Sequence, residues 1–191
     1  MILLNWIATT TAVPPNLLTN PGAESGLIGW TQTGPATGIR DTGGTINSGY
    51  NPRTGGGMFA GGFGSGGSSA GFTQTITLLG GLQNFIAAQL DAGTLKVEII
   101  FYYQNYVQWL LSTDDAQVIV KFRSATNVVL GTVDSGAKKC GTNPGWCSYS
   151  TIQSLPVGTR FIEYTMKFVR NGGTDIDSYI DDNSLRVIWI V

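Results

Sequence analysis

Residues 95–103 read LKVEIIFYY. Leu95, Val97, Ile99 and Phe101 fall on one side of an extended chain, and Lys96 and Glu98 begin the other. A period of two in a run rich in β-branched and aromatic residues predicts a strand with one face in a core. The pattern recurs on both sides of this run. FTQTITL (72–78) sets Phe72, Gln74, Ile76 and Leu78 against Thr73, Thr75 and Thr77. AQVIVKFRSA (116–125) sets Val118, Val120 and Phe122 against Ile119, Lys121 and Arg123. RFIEYTMKFVR (160–170) sets Ile162, Tyr164, Met166 and Phe168 against Glu163, Thr165 and Lys167, and SLRVIWIV closes the chain as a strand. One apolar and one mixed face per strand is what an antiparallel sandwich needs. Helical periodicity is weak, with LQNFIAAQL (82–90) alone suggesting about two turns.

Turn signals separate these runs: NPG at Asn20 and Asn143, SATN at Ser124, LPVG at Leu155 and NGG at Asn171. TGGGMFAGGFGSGGSSAG (54–71) reads either as a flexible loop or as a strand and turn where backbones pass closely, with Met58, Phe59 and Phe63 to bury. No repeat or linker divides the chain, so the expectation is an arm over residues 1–15 and one β-sandwich over 16–191. The 191 residues are enough for a real core. Charged residues make up 12% and the net charge is −1, which gives no basic field for nucleic acid. The absence of histidine removes His-based triads and most zinc sites. No apolar run approaches the length of a membrane span. MILLNWIATTTAVPP lacks the charged start and cleavage site of a signal peptide and reads as mature chain. Cys140 and Cys147 enclose GTNPGW and either clip one loop or stay free.

NLLTNPGAESGLIGW (16–30) carries a single acid, Glu24, between a turn and a glycine-rich bend. It resembles the opening motif of carbohydrate-binding modules with the galactose-binding-like jelly-roll fold. LPVGTRFIEYTMKFVRNGGTDIDSYIDDNSLRV (155–187) resembles that family's closing segment, and LDAGTLKVEIIFYY with DDAQVIVKFRSATNVVLG is similar to looser bacterial and viral versions. The resemblance covers 16–187 and implies an all-β jelly roll. It also implies a structural Ca2+ shared by Glu24 and Asp181, stapling the first and last strands through carboxylates and backbone carbonyls. The other reading of these acids is a turn cap and a solvated turn residue. Asn183 stands where the family usually has a hydrophobic residue, which implies weaker strand register there.

Sugar binding needs exposed aromatics beside amides and acids. FYYQNYVQW offers Tyr103, Tyr106 and Trp109, and the cysteine loop offers Trp146 with Tyr149; packing in a core or between subunits is the alternative for each. Trp30 is expected in the core. Gly62 begins a formal G-x-G-x-x-G, but no helix follows it. The adjacent pairs Asp114/Asp115 and Asp181/Asp182 cannot each face one cleft, because neighbouring strand residues point opposite ways, and nothing in the sequence sets Asp175/Asp177 against another acid across a cleft. The expectation is therefore a non-enzymatic structural protein of a large assembly, above all a phage capsid decoration (cement) or tail component. It would sit in the virion as a homo-oligomer such as a trimer, beside capsid or tail proteins, with neither nucleic acid nor membrane as partner. The alternative is a soluble or cell-surface module that binds polysaccharide.

Overall fold

The computed structural model describes residues 13–107 and 110–189. The alternating runs form strands. In chain order these are β1 (Thr31–Thr33), β2 (Ile39–Asp41), β3 (Met58–Gly62), β4 (Ser69–Thr77), β5 (Leu95–Asn105), β6 (Asp115–Arg123), β7 (Val129–Asp134), β8 (Cys147–Ser154), β9 (Phe161–Val169) and β10 (Ile176–Trp189). They build two five-stranded sheets, ordered β1-β4-β9-β6-β7 and β2-β3-β10-β5-β8, with every strand pair antiparallel. The sheets face each other as an all-β, jelly-roll-type sandwich.

The apolar rows named from alternation are the rows that meet. Leu95, Val97, Ile99 and Phe101 of β5 pack with Val118, Val120 and Phe122 of β6, and with Ile162, Tyr164, Met166 and Phe168 of β9. Trp30 joins them, edge-on to Phe59 and Tyr164 (centroids 5.2 and 6.0 Å), and its Nε1–H donates to the carbonyl of Asn20. The strand reading of the glycine-rich stretch is the one the fold adopts. β3 buries Met58 and Phe59 on opposite faces, while Phe63 stays half exposed. Gly61 lies against Ile176 so closely that a Cβ would collide with it. Cys140 and Cys147 are bonded, closing the loop before β8.

The helix is shorter than the expected span. Only α1 (Ala87–Asp91) forms. Gly80 N–H bonds Phe85 O, Leu79 bridges Phe85, and Asn84 takes a positive φ of 52°, so residues 79–85 are committed to a turn before any helix starts. The arm lies almost wholly outside the described residues, and at its end Val13 is exposed.

Asn183 stitches the chain's two ends together. Its amide and its backbone N–H donate to Pro21 O at 2.8 and 3.2 Å, and its Oδ1 accepts the buried Tyr164 hydroxyl at 2.8 Å. Asn16 closes the seam by donating to Asn183 O and accepting from Leu185 N–H. The register of β10 shifts between Asp181 and Ser184, as the unusual residue implied, and Asp182 there has a φ of 46°. The irregularity is what frees Asn183 for these bonds.

Candidate functional site

The outer face of the β2-β3-β10-β5-β8 sheet divides into two regions. On β5 the residues of opposite parity to the core row point outward: Lys96, Glu98, Ile100, Tyr102 and Gln104. Loop 42–57 roofs the first region. Its Tyr50 forms a separate buried cluster with Met58, Ala60 and Tyr179, and Ile39, Ile46, Tyr106 and Trp146 pack around it. Tyr50 stacks on Tyr179 at 5.6 Å and meets Tyr106 edge-on at 5.4 Å. Asn47 Nδ2 donates to both Asp177 and the Tyr179 hydroxyl at 2.9 Å. Gln104 and the Trp146 indole both donate to Asn51 O, fixing the roof to the sheet.

Among the described residues, no loop roofs the second region beyond Arg53 and Thr54 at its border. Register places Asp181, Tyr102 and Ser148 in one row across β10, β5 and β8. Ser184, Ile100 and Ser150 follow, then Arg186, Glu98 and Ile152, then Ile188, Lys96 and Ser154. At strand spacing this strip is roughly 10 Å wide and 20 Å long. Arg53, from the edge of the roof, lies over the Tyr102 ring at 3.5 Å and pairs with Asp182 at 2.6 Å. Arg186 pairs with Glu98 at 3.4 Å. The strip thus offers planar donors, carboxylate acceptors, serine hydroxyls and three isoleucines on one surface, a mixture suited to a hydroxyl-rich ligand with apolar faces.

The sequence-chosen aromatics take different places. Tyr103 shares the parity of Leu95 and Phe101, so its ring turns to the core, 5.9 Å from Phe101. Tyr106 and Trp146 are half-buried against the Tyr50–Tyr179 cluster. Trp109 lies outside the described residues. Tyr102, Arg53 and Asp182 were not singled out. Parity alone points to Tyr102, because it continues the outward row of Lys96 and Glu98; nothing local foretells that Arg53 reaches it.

Glu24 and Asp181 both border Gly22. A Cβ on Gly22 would lie 3.0 Å from Asp181 Oδ1, 3.6 Å from Glu24 Oε1 and 3.7 Å from Asp182 Oδ1, so the bare backbone at residue 22 leaves these oxygens around one gap. Glu24 Oε2 also accepts Gly56 N–H, capping a loop distant in sequence. Asp181 is buried, and its oxygens accept the amides of Arg53, Thr54 and Asp182. Burial pushes its carboxyl up to about 7, the neighbouring Asp182 charge adds to this, and the three amides oppose it. The donors are hard oxygens of the kind calcium takes. Among the described residues no three His, Cys, Asp or Glu side chains are spaced as a metal-binding group.

Asp114 and Asp177 line a small pocket with Tyr106, Leu111, Ser112 and Gly172. Asp114 is consumed by the amides of Asn171, Gly172 and Asp177, and Asp115 pairs with Lys139. Burial raises both the Asp114 and the Asp177 carboxyl. No helix among the described residues is long and apolar enough to cross a membrane.

No protein-family model matches the chain, and neither does any curated protein. Solved structures do. The chain is similar to the enzymatically active domain of tailspike protein 4 of bacteriophage CBA120 (TM-score 0.61, 15% identity, 91% of this chain and 21% of that one). It is similar to a family 16 carbohydrate-binding module (TM-score 0.57, 17% identity, 89% and 99%) and to a cyclase from Fischerella sp. TAU (0.62, 12%, 94% and 100%). The chain therefore spans about a fifth of the tailspike structure and nearly all of the other two. At these identities the likeness establishes the carbohydrate-binding-module-like β-sandwich fold.

Proposed function

We propose that this chain is a non-enzymatic, glycan-binding β-sandwich module carried on the outside of a larger assembly, of virion or extracellular type. The observation that carries this reading is the unroofed strip. Tyr102 under Arg53 supplies a stacked floor, and Asp182, Glu98, Arg186 and the serines of β8 supply hydrogen-bonding groups around it. A polysaccharide laid along β5 meets apolar and polar groups in alternation. The likeness to a carbohydrate-binding module supports this use of the fold, and the likeness to a tailspike domain supports a place on a phage particle.

Affinity electrophoresis against a panel of capsular, plant and microbial polysaccharides tests the reading. At least one should retard the chain, and the Tyr102→Ala variant should run unretarded with its fold intact. A panel that leaves the parent unretarded would remove the proposal.

The low share of charged residues, 12%, favours a second reading, a purely structural capsid decoration or tail component. Sedimentation of the native source separates the two, because a structural component travels with the particle at stoichiometric amount. In either setting, calcium held by Glu24 and Asp181, with Asp182 beside them, would tie the opening segment to β10 and neutralise a buried carboxylate.

A further inference from the structure

Four strand edges bound the sandwich, and three of them are blunted. β1 and β2 have three residues each. β7 is interrupted by a register shift opposite Phe122 and Arg123 and ends at the charged Asp134. The fourth, β8, runs for eight residues as CSYSTIQS without a charge, a proline or a shift in register. Natural sheets rarely leave such an edge bare, because it is a ready template for another strand.

The direction of its hydrogen bonds follows from one observation. Leu155 N–H donates to Leu95 O at 2.9 Å, continuing the β5–β8 ladder. Antiparallel bonding alternates, so Cys147, Tyr149, Thr151 and Gln153 bond β5. Ser148, Ser150, Ile152 and Ser154 therefore turn their N–H and C=O groups away from the sheet. Among the described residues none of these groups takes part in a hydrogen bond.

We infer that β8 pairs with β8 of a second copy of this chain, antiparallel and about a twofold axis at Thr151. That register sets Ser148 opposite Ser154 and Ser150 opposite Ile152. All four outward residues meet outward residues, so each free amide and carbonyl finds a partner. An uncharged strand is what self-pairing requires, since a twofold would otherwise bring like charges together. Ile152, 50% exposed, gains cover from the second strand, and Val157, 57% exposed just beyond β8, reaches the second copy's cysteine loop. The two sheets become one of ten strands. Their outer faces point the same way, with the two β5 strands roughly 14 Å apart at ordinary strand spacing. Where the strip binds glycan as proposed, the dimer is bivalent; the pairing itself does not depend on that reading.

Analytical ultracentrifugation of the full chain at micromolar concentration tests the pairing. The parent should sediment as a dimer. Ser150→Pro removes an N–H that bonds nothing within the chain, so it should sediment as a monomer that keeps the parent's circular dichroism spectrum, its unfolding temperature falling only by what the pairing adds. Ile152→Lys, which sets two cations beside the axis, should do the same. A monomeric parent, or a folded variant of either kind that stays dimeric, overturns the inference. If one substitution costs the fold, as circular dichroism would show, the other decides.

Discussion

Two groups of tyrosines share the outer face of one sheet and differ in what covers them. Tyr50 of loop 42–57 packs with Tyr179 and Tyr106 as a second small core. Tyr102, on the same face two residues from Gln104, has the Arg53 guanidinium above it and, among the described residues, open strip beyond. The roof, rather than the ring, separates a packed aromatic from one with open surface beside it. A ring whose surroundings are already filled contributes stability, whereas a ring beside unpaired polar groups has contacts left for a ligand.

The sharpest way to break this contrast is to remove a roofed ring. Tyr179→Ala should cost about 3–5 kcal/mol by thermal or urea unfolding, as expected for a large aromatic truncated in a packed site. A loss under about 1 kcal/mol would mean that the roof is not packed on it.

Asp181 stands at the border of the two regions and gives the next largest effect. Burial pushes its carboxyl up to about 7, above the ordinary carboxylate range, so the folded chain holds this proton more tightly than the unfolded one. In chelator-treated buffer its contribution is therefore full at low pH and is lost as pH rises through about 7, amounting to at most about 4 kcal/mol. Calcium competes with that proton, so added calcium should raise the unfolding temperature at pH 8 and have little effect at pH 5. An unfolding temperature indifferent to calcium at both pH values leaves Asp181 as a buried carboxyl bonded to amides, and removes the metal.

Tyr164→Phe should cost about 1–3 kcal/mol, because it leaves the Asn183 oxygen buried without its donor. Tyr102→Ala, at a half-buried position, should cost less stability than Tyr179→Ala while removing polysaccharide binding.

Much of the sandwich was legible in sequence because its buried rows repeat every second residue. The core rows of β5, β6 and β9 stand where alternation put them. β8 was not legible. Its inward Cys147, Tyr149, Thr151 and Gln153 differ little in polarity from its outward serines, since an edge strand has little to bury. The helix was over-extended because a bridge between Leu79 and Phe85 overrides local propensity. For the site, the same alternation that placed Phe101 inward assigns Tyr103 to the core and Tyr102 to the surface. The cover over Tyr106 and Trp146 comes from a loop more than fifty residues away in the chain, which no local pattern encodes. Glu24 and Asp181 were paired through the family resemblance, and the fold does bring them to one gap.

The open strip, and not the roofed cluster, is the surface proposed to bind glycan. The most direct measurement compares Tyr102→Ala with Tyr106→Ala against the polysaccharide that retards the parent. Tyr102→Ala should remain folded and lose binding at least tenfold, and Tyr106→Ala should lose stability but bind as the parent does. Binding retained without Tyr102 and lost without Tyr106 would contradict this proposal.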